Sequence, residues 1–199
     1  EVILLEKAKD LGGLLIPACV IPTKEDLDKL FQWYKREMVR LPIDVRYGTE
    51  ATPELIRELG ADALVVATGH GEESNVPMNL KGLDHPNVIT TMDLLTHKVD
   101  VTDSIVIGGG FMGCDISQHI STSGSKATML TRYGRENIGG TVGFFTRNSL
   151  FELLEKLDVE IRDNVKYKEV TDDGVIIENQ EGEEELILGQ RVVLANGFK

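Results

Sequence analysis

The sequence predicts an α/β protein in which parallel strands alternate with helices and a small antiparallel meander is appended. Three observations carry this. Apolar runs such as Val2-Ile3-Leu4-Leu5 are uninterrupted, as in strands covered on both faces of a parallel sheet. One such run, Ser104–Ile107, passes through Gly108-Gly109-Gly110 straight into a helical segment. Late in the chain, several short strand-like runs follow one another with turn residues between them.

Taken in order, residues 2–5 form the first strand, and Leu11-Gly12-Gly13 breaks away from it. Ile21-Pro22-Thr23 introduces a helix, with Thr23 as N-cap and Asp26 as capping-box partner. Leu27, Leu30, Phe31, Tyr34 and Met38 recur at helical spacing on one face. Residues 43–47 alternate like a strand, and Thr52-Pro53 opens a short helix with Thr as cap and Pro in the first turn. Residues 63–66 read as another buried strand, ending in Ala67-Thr68-Gly69. The stretch 71–103, with Gly71, Pro77, Gly82 and Pro86, reads mostly as a connection, with a short helix near residues 92–95. A second α/β unit starts at Ser104: a strand, the glycines, a helix to about Ser123, then a strand over 126–132. Gly139, Gly140 and Gly143 mark a loop, and Leu150, Phe151, Leu153, Leu154 and Leu157 make an apolar helix face. Residues 159–162, 165–169, 175–178 and 185–188 read as one antiparallel meander, and 191–195 as a final buried strand.

The chain has 199 residues, 41% of them hydrophobic and 27% charged, which is ordinary globular composition. Its net charge of −12 opposes nucleic acid and anionic membrane partners, but not dinucleotides, which backbone N–H groups and a few cations hold locally. No apolar run reaches the roughly 18 residues of a spanning helix. Cys19 and Cys114 lie too far apart for a CxxC pair, and a reduced cytoplasmic setting is the simplest expectation. His70, His85, His97 and His119 share no metal-ligand spacing, and Cys114 reads as a small core residue.

The strongest motif is Gly108-x-Gly110-x-x-Gly113, because it lies between a strand and a helix and the next strand ends near Thr131. That context is what a dinucleotide fingerprint requires. Gly108 allows the tight turn, Gly110 admits the diphosphate, and Gly113 lets the helix pack on the strand; the helix N-terminus then faces the negative charge. A packing turn in a doubly wound fold is the bland alternative. After the second strand, Thr131 stands where an NAD site usually places a carboxylate, and Arg132 and Arg135 follow. A neutral hydroxyl and two guanidinium groups suit a 2′-phosphate, so NADPH is expected to be preferred over NADH. Glu136 complicates this, since it could neutralise Arg135. Glu6 ends the first strand and suits either a ribose hydroxyl pair or a solvated surface position.

The segments VILLEKAKDLGG, TPELIRELGADALVVATG, SIVIGGGFMGCD and RVVLANG resemble, over the whole chain, the C-terminal part of the NADH:flavin oxidoreductase group. That group includes dienoyl-CoA reductase, enoate reductases, NADH oxidase and trimethylamine dehydrogenase. The resemblance implies a Rossmann-like fold of the two-dinucleotide-binding flavoprotein type: a truncated FAD domain over residues 1–70, an inter-domain connection over 71–103 and a nearly complete NAD(P) domain over 104–199. It implies that Glu6 binds the FAD ribose with Gly12 and Gly13 nearby, and that Ala67-Thr68-Gly69 and Ala195-Asn196-Gly197 are the two crossing motifs, the second with Asn for Thr. It places Phe111 and Asp115 near the nicotinamide, Asp115 replacing the commoner Glu. It further implies FMN and a four-iron, four-sulfur cluster in an N-terminal barrel outside these residues, and a hydride path from NAD(P)H to FAD and onward to an enoate or dienoyl-type site. The expectation is therefore a fragment, inactive alone, with an open sheet edge at residues 2–5 that invites self-association. A non-catalytic NAD(P)-sensing or assembly module is the competing reading, since no acid, base or nucleophile stands out.

Overall fold

The computed structural model describes residues 1–70, 79–140 and 142–197. The chain divides into two compact units: Glu1–Val20 with Lys24–Gly69, and Ile21–Thr23 with His70–Lys199.

In the first unit, β1 (Val2–Leu5) pairs in parallel with β2 (Ile43–Arg46). Between them run the short α1 (Leu15–Ala18) and the long α2 (Glu25–Arg40), and α3 (Pro53–Leu59) follows. The spacing argument for α2 holds only in part: Phe31 is buried and Leu27 and Met38 half-buried, but Leu30 and Tyr34 are exposed. Thr23 does not cap α2. Lys24 occupies the N-cap position, no side chain caps the helix, and the Thr23 hydroxyl instead donates to Gln118 Oε1 (2.8 Å) within the second unit. Thr52 caps α3 as expected, accepting from Leu55 N–H (3.2 Å), and Gly60 closes the helix in the left-handed region at φ 60°.

Residues 63–66 are a correction. They form no strand, and Leu64, Val65 and Val66 are 58%, 86% and 74% exposed. A strand is defined by a neighbour's ladder, and among the described residues none runs beside this segment.

The second unit is built on a five-stranded parallel sheet in the order β3-β10-β4-β5-β6. Its strands are β3 (Val88–Thr90), β4 (Ser104–Ile107), β5 (Ala127–Leu130), β6 (Glu160–Arg162) and β10 (Arg191–Leu194). From the stretch read as a connection, residues 88–90 supply the edge strand β3. Residues 91–95 supply α4 (Thr91–Leu95), which a Thr90–Asp93 capping box starts. Residues 71–78 lie outside the described residues. The expected four-stranded meander loses its first member: β6 pairs in parallel with β5, because α6 (Phe144–Lys156) provides the crossover that returns the chain to the sheet edge. The remaining three strands, β7 (Lys166–Thr171), β8 (Gly174–Glu178) and β9 (Glu184–Leu188), are antiparallel as expected.

Alternation along the strands sorts the core. Ile105, Ile107 and Leu130 join Val170, Val175, Ile177 and Ile187 of the meander in one cluster. α5 (Phe111–Thr122) is buried from Gly113 to Ile120, with Gly113 close to Met129.

Candidate functional site

The glycine-spaced turn between β4 and α5 lies at the C-terminal edge of the second unit's sheet, where β4 and β5 end in register at Ile107 and Leu130. Gly108 N–H donates to Leu130 O (2.9 Å) and Ala195 N–H to Ile107 O (2.9 Å), so the turn is strung between neighbouring strand ends. Each glycine answers a different demand. Gly108 has φ +126°, and a Cβ there would stand 2.6 Å from Ala195 O. A Cβ on Gly113 would overlap the Gly108 carbonyl oxygen and lie 2.8 Å from its carbon, so α5 can approach β4 only through glycine. Gly110 faces open space, with nothing within 4 Å of a Cβ placed on it. It is also the N-cap of α5, at φ −73° and ψ −176°, and no side chain caps the helix. The N-terminal end of α5, with its partial positive charge, thus opens beside an unobstructed backbone.

Further residues brace this turn. Thr131 is only 1% exposed; its hydroxyl fits against Gly109 and accepts from Tyr133 N–H (3.2 Å). Its side chain therefore supports the loop from beneath, and the exposed group at this strand end is Arg132, whose guanidinium lies 5.1 Å from the Tyr133 ring centroid. Arg135 turns elsewhere, pairing with Glu155 (3.4 Å) and lying 4.7 Å from the Phe151 ring centroid. Glu136 accepts from Asn137 Nδ2 (2.8 Å). Phe111 is half exposed at the head of α5, and Asp115 is buried one turn on. Cys114 is fully buried, and burial, with the Asp115 charge beside it, pushes its thiol up to about 12, which suits a core residue and not a nucleophile. His119 is likewise a core residue, held below the usual imidazole range by burial and by nearby His97. Among the described residues no group of His, Cys, Asp or Glu could hold a metal ion.

Two further segments support the site, the first of which sequence reasoning had noted only as a loop. Gly139 N–H donates to Gly109 O (2.8 Å), which ties the Gly139-Gly140 loop to the fingerprint. The Asn196 side-chain oxygen packs against Gly108, so the Ala195-Asn196-Gly197 segment, with Gly197 at φ 84°, closes the far side of the turn. The glycine doublet was a signal for the first; the second is the segment that the resemblance gave as a crossing motif, here packed against the fingerprint turn.

In the first unit, Glu6 Oε1 accepts from Ala8 N–H (2.7 Å), bending the chain after β1. Gly12 has φ 122°, and a Cβ there would meet the Phe31 ring at 2.6 Å, so this glycine serves the packing of α2. Gly13 has φ 47°. Ala67, Thr68 and Gly69 are exposed and follow no strand.

Residues 24–199 match the family described as pyridine nucleotide-disulphide oxidoreductase. The chain belongs to this family. It is a domain of flavin-dependent pyridine nucleotide oxidoreductase type, and membership implies binding of FAD and NAD(P). The chain is 28% identical over 200 residues to a cinnamate reductase of Clostridium sporogenes, covering 100% of this chain and 29% of the relative. It is 30% identical over 202 residues to an NADH oxidase of Thermoanaerobacter brockii, covering 99% and 30% respectively. A solved 2-naphthoyl-CoA reductase superposes with a TM-score of 0.88 at 29% identity, covering 100% of this chain and 29% of that one. The chain therefore spans less than a third of the length of these relatives. Both cysteines are free thiols.

Proposed function

We propose that the turn Gly108–Gly113 is the NAD(P)H site of a larger flavin-dependent reductase in which the nicotinamide nucleotide delivers hydride toward FAD. The observation that carries this reading is the division of labour among the glycines. Gly108 and Gly113 are consumed by close packing, while Gly110 is left open at an uncapped helix end. An open backbone at a helix N-terminus fits a diphosphate. The protein's own contribution is binding and orientation: α5 fixes the diphosphate, Arg132 meets the adenosine end, and Phe111 and Asp115 lie at the nicotinamide side. The nucleotide supplies the hydride when bound.

The FAD half fits less well. Glu6 stands at a strand end as a ribose partner would, but Gly12 and Gly13 lie late in the loop between β1 and α1, and the Phe31 ring packs against Gly12. No step is therefore derived through FAD on this chain. The name of one relative, a cinnamate reductase, supports an enoate-type acceptor in the whole protein, and the FMN and iron–sulfur cluster that the sequence resemblance implies are proposed as further carriers there. Isothermal titration of the 199-residue chain with NADPH and NADH tests the site reading. Saturable 1:1 binding of at least one nucleotide, abolished by high salt less readily than non-specific charge contacts, is expected. Failure of both to bind at millimolar concentration would overturn it.

A further inference from the structure

Near the end of β5, where Arg132 follows the strand, the second unit contains a cavity of about 500 Å³ whose walls include Lys81, Arg132, Lys166, Lys168, Glu169 and Glu184. Three chain segments build it. The Tyr167 hydroxyl donates to Leu130 O (3.1 Å) and Val165 N–H to Thr131 O (3.1 Å), which pins β7 against the end of β5. Lys81 N–H donates to Lys168 O (3.1 Å), and Val170 N–H to Lys81 O (2.9 Å), so the segment around residue 81 continues this wall. Four cations and two carboxylates thus line one hollow, a net positive balance in a chain whose net charge is −12. Lys166 and Lys168 share Glu178, which fixes their positions. Among the described residues, Lys81 and Arg132 have no carboxylate partner.

We propose that this cavity takes the 2′-phosphate of NADP, with Lys81 and Lys168 as specificity-determining residues that act together with Arg132. The inference rests on the nucleotide site proposed above and extends it to residues outside the fingerprint. A nucleotide whose diphosphate lies on the N-terminus of α5 brings its adenosine ribose to the end of β5. Arg132 follows that strand end and lines the cavity. A phosphate monoester carries nearly two charges and three acceptor oxygens, more than one guanidinium satisfies. Lys81 and Lys168, which line the same cavity, supply the remainder. NADH, lacking the phosphate, leaves the cavity to water and gains nothing from Lys81 or Lys168. Arg135, engaged with Glu155 and Phe151, takes no part.

The test is titration of the 199-residue chain and its Lys81→Met and Lys168→Met variants with NADPH and NADH at one fixed ionic strength. NADPH should bind the unsubstituted chain more tightly. Either lysine variant should lose about tenfold in NADPH affinity, the scale of one charge-assisted contact, with NADH affinity unchanged. Unchanged NADH binding also shows that the variant is folded. A preference for NADPH that survives both substitutions overturns the inference and leaves the nucleotide site standing. So does equal or tighter NADH binding by the unsubstituted chain, or an equal loss for both nucleotides. If the unsubstituted chain binds neither nucleotide, the site reading itself has failed, and the inference fails with it.

Discussion

Substituting alanine at Gly110 and at Gly113 separates binding from packing. A Cβ at Gly113 would lie 2.8 Å from the Gly108 carbonyl carbon, and the carbonyl oxygen is nearer still. Ordinary carbon–carbon contact is about 3.5 Å, so the head of α5 must retreat by at least ~0.7 Å. Forcing an extra methyl into a packed position costs about 1–3 kcal/mol. For a chain of this length that lowers Tm by roughly 2–12 °C. At Gly110 the free protein has nothing within 4 Å of the new atom, and φ is −73°, which alanine adopts without strain. Gly110→Ala should therefore leave Tm nearly unchanged, since the gain of about 0.4–1 kcal/mol from Gly→Ala at a compatible backbone is offset by alanine's poorer fit at an N-cap. Its methyl nevertheless stands where the diphosphate meets the helix end, and losing one charge-assisted contact there weakens nucleotide binding by about tenfold or more. Thermal melts followed by circular dichroism, with calorimetric titration of NADPH and NADH, read both quantities. A Gly110→Ala variant that binds as tightly as the unsubstituted chain would refute the placement of the diphosphate. A Gly113→Ala variant with an unshifted Tm would refute the packing argument.

Three further outcomes follow from individual contacts. Cys114, with its thiol pushed up to about 12, should resist iodoacetamide at pH 8 in the native protein and react only after urea unfolding, as peptide mass mapping would show; rapid native labelling at Cys114 contradicts its burial. Hydrogen bonds from Lys166 and then Lys168 pull Glu178 down to about 2. A carboxylate with a depressed pKa stabilises the fold fully above the ordinary range near 4.3 and loses that contribution as pH falls through the depressed value, so an NMR titration should place the Glu178 midpoint near 2; a midpoint near 4.3 would show that the lysine clamp does not form in solution. Finally, β1 pairs only with β2 among the described residues, and its Val2 is 57% exposed, so concentration-dependent self-association is expected by light scattering; a strict monomer at high concentration argues that the edge is protected.

Where one stretch of sequence carried its own structural reason, the fold was legible. The run Ser104–Ile107 followed by spaced glycines could serve little else, and β4, the turn and α5 lie where the spacing puts them. Thr52-Pro53 likewise holds both cap and first turn in adjacent residues. The errors arose where the outcome depends on a distant neighbour. Residues 63–66 have strand composition, but no described strand lies along them. Residues 159–162 look like the first arm of a meander, and only the crossover through α6 sends β6 to β5. Thr23 has the chemistry of a cap, and its hydroxyl is taken by Gln118, 95 residues away. The site shows the same division. The glycine pattern was readable, whereas the burial of Thr131 and the turning of Arg135 toward Glu155 and Phe151 depend on how β5 and α6 meet the loop. Lys81 and Lys168 lie 51 and 36 positions from Arg132 in a chain whose lysines are unremarkable by spacing, so their convergence on one cavity had no local signal.

The placement of the nucleotide can be observed directly by following backbone amide resonances of the 15N-labelled chain as NADPH is added. The largest shifts are expected at the amides of Gly108 through Gly113 and at Arg132, with the first unit, including Glu6 and Gly12, nearly unmoved. Saturable binding whose shifts miss the turn between β4 and α5, or cluster in residues 1–20 instead, would contradict the assignment of this site.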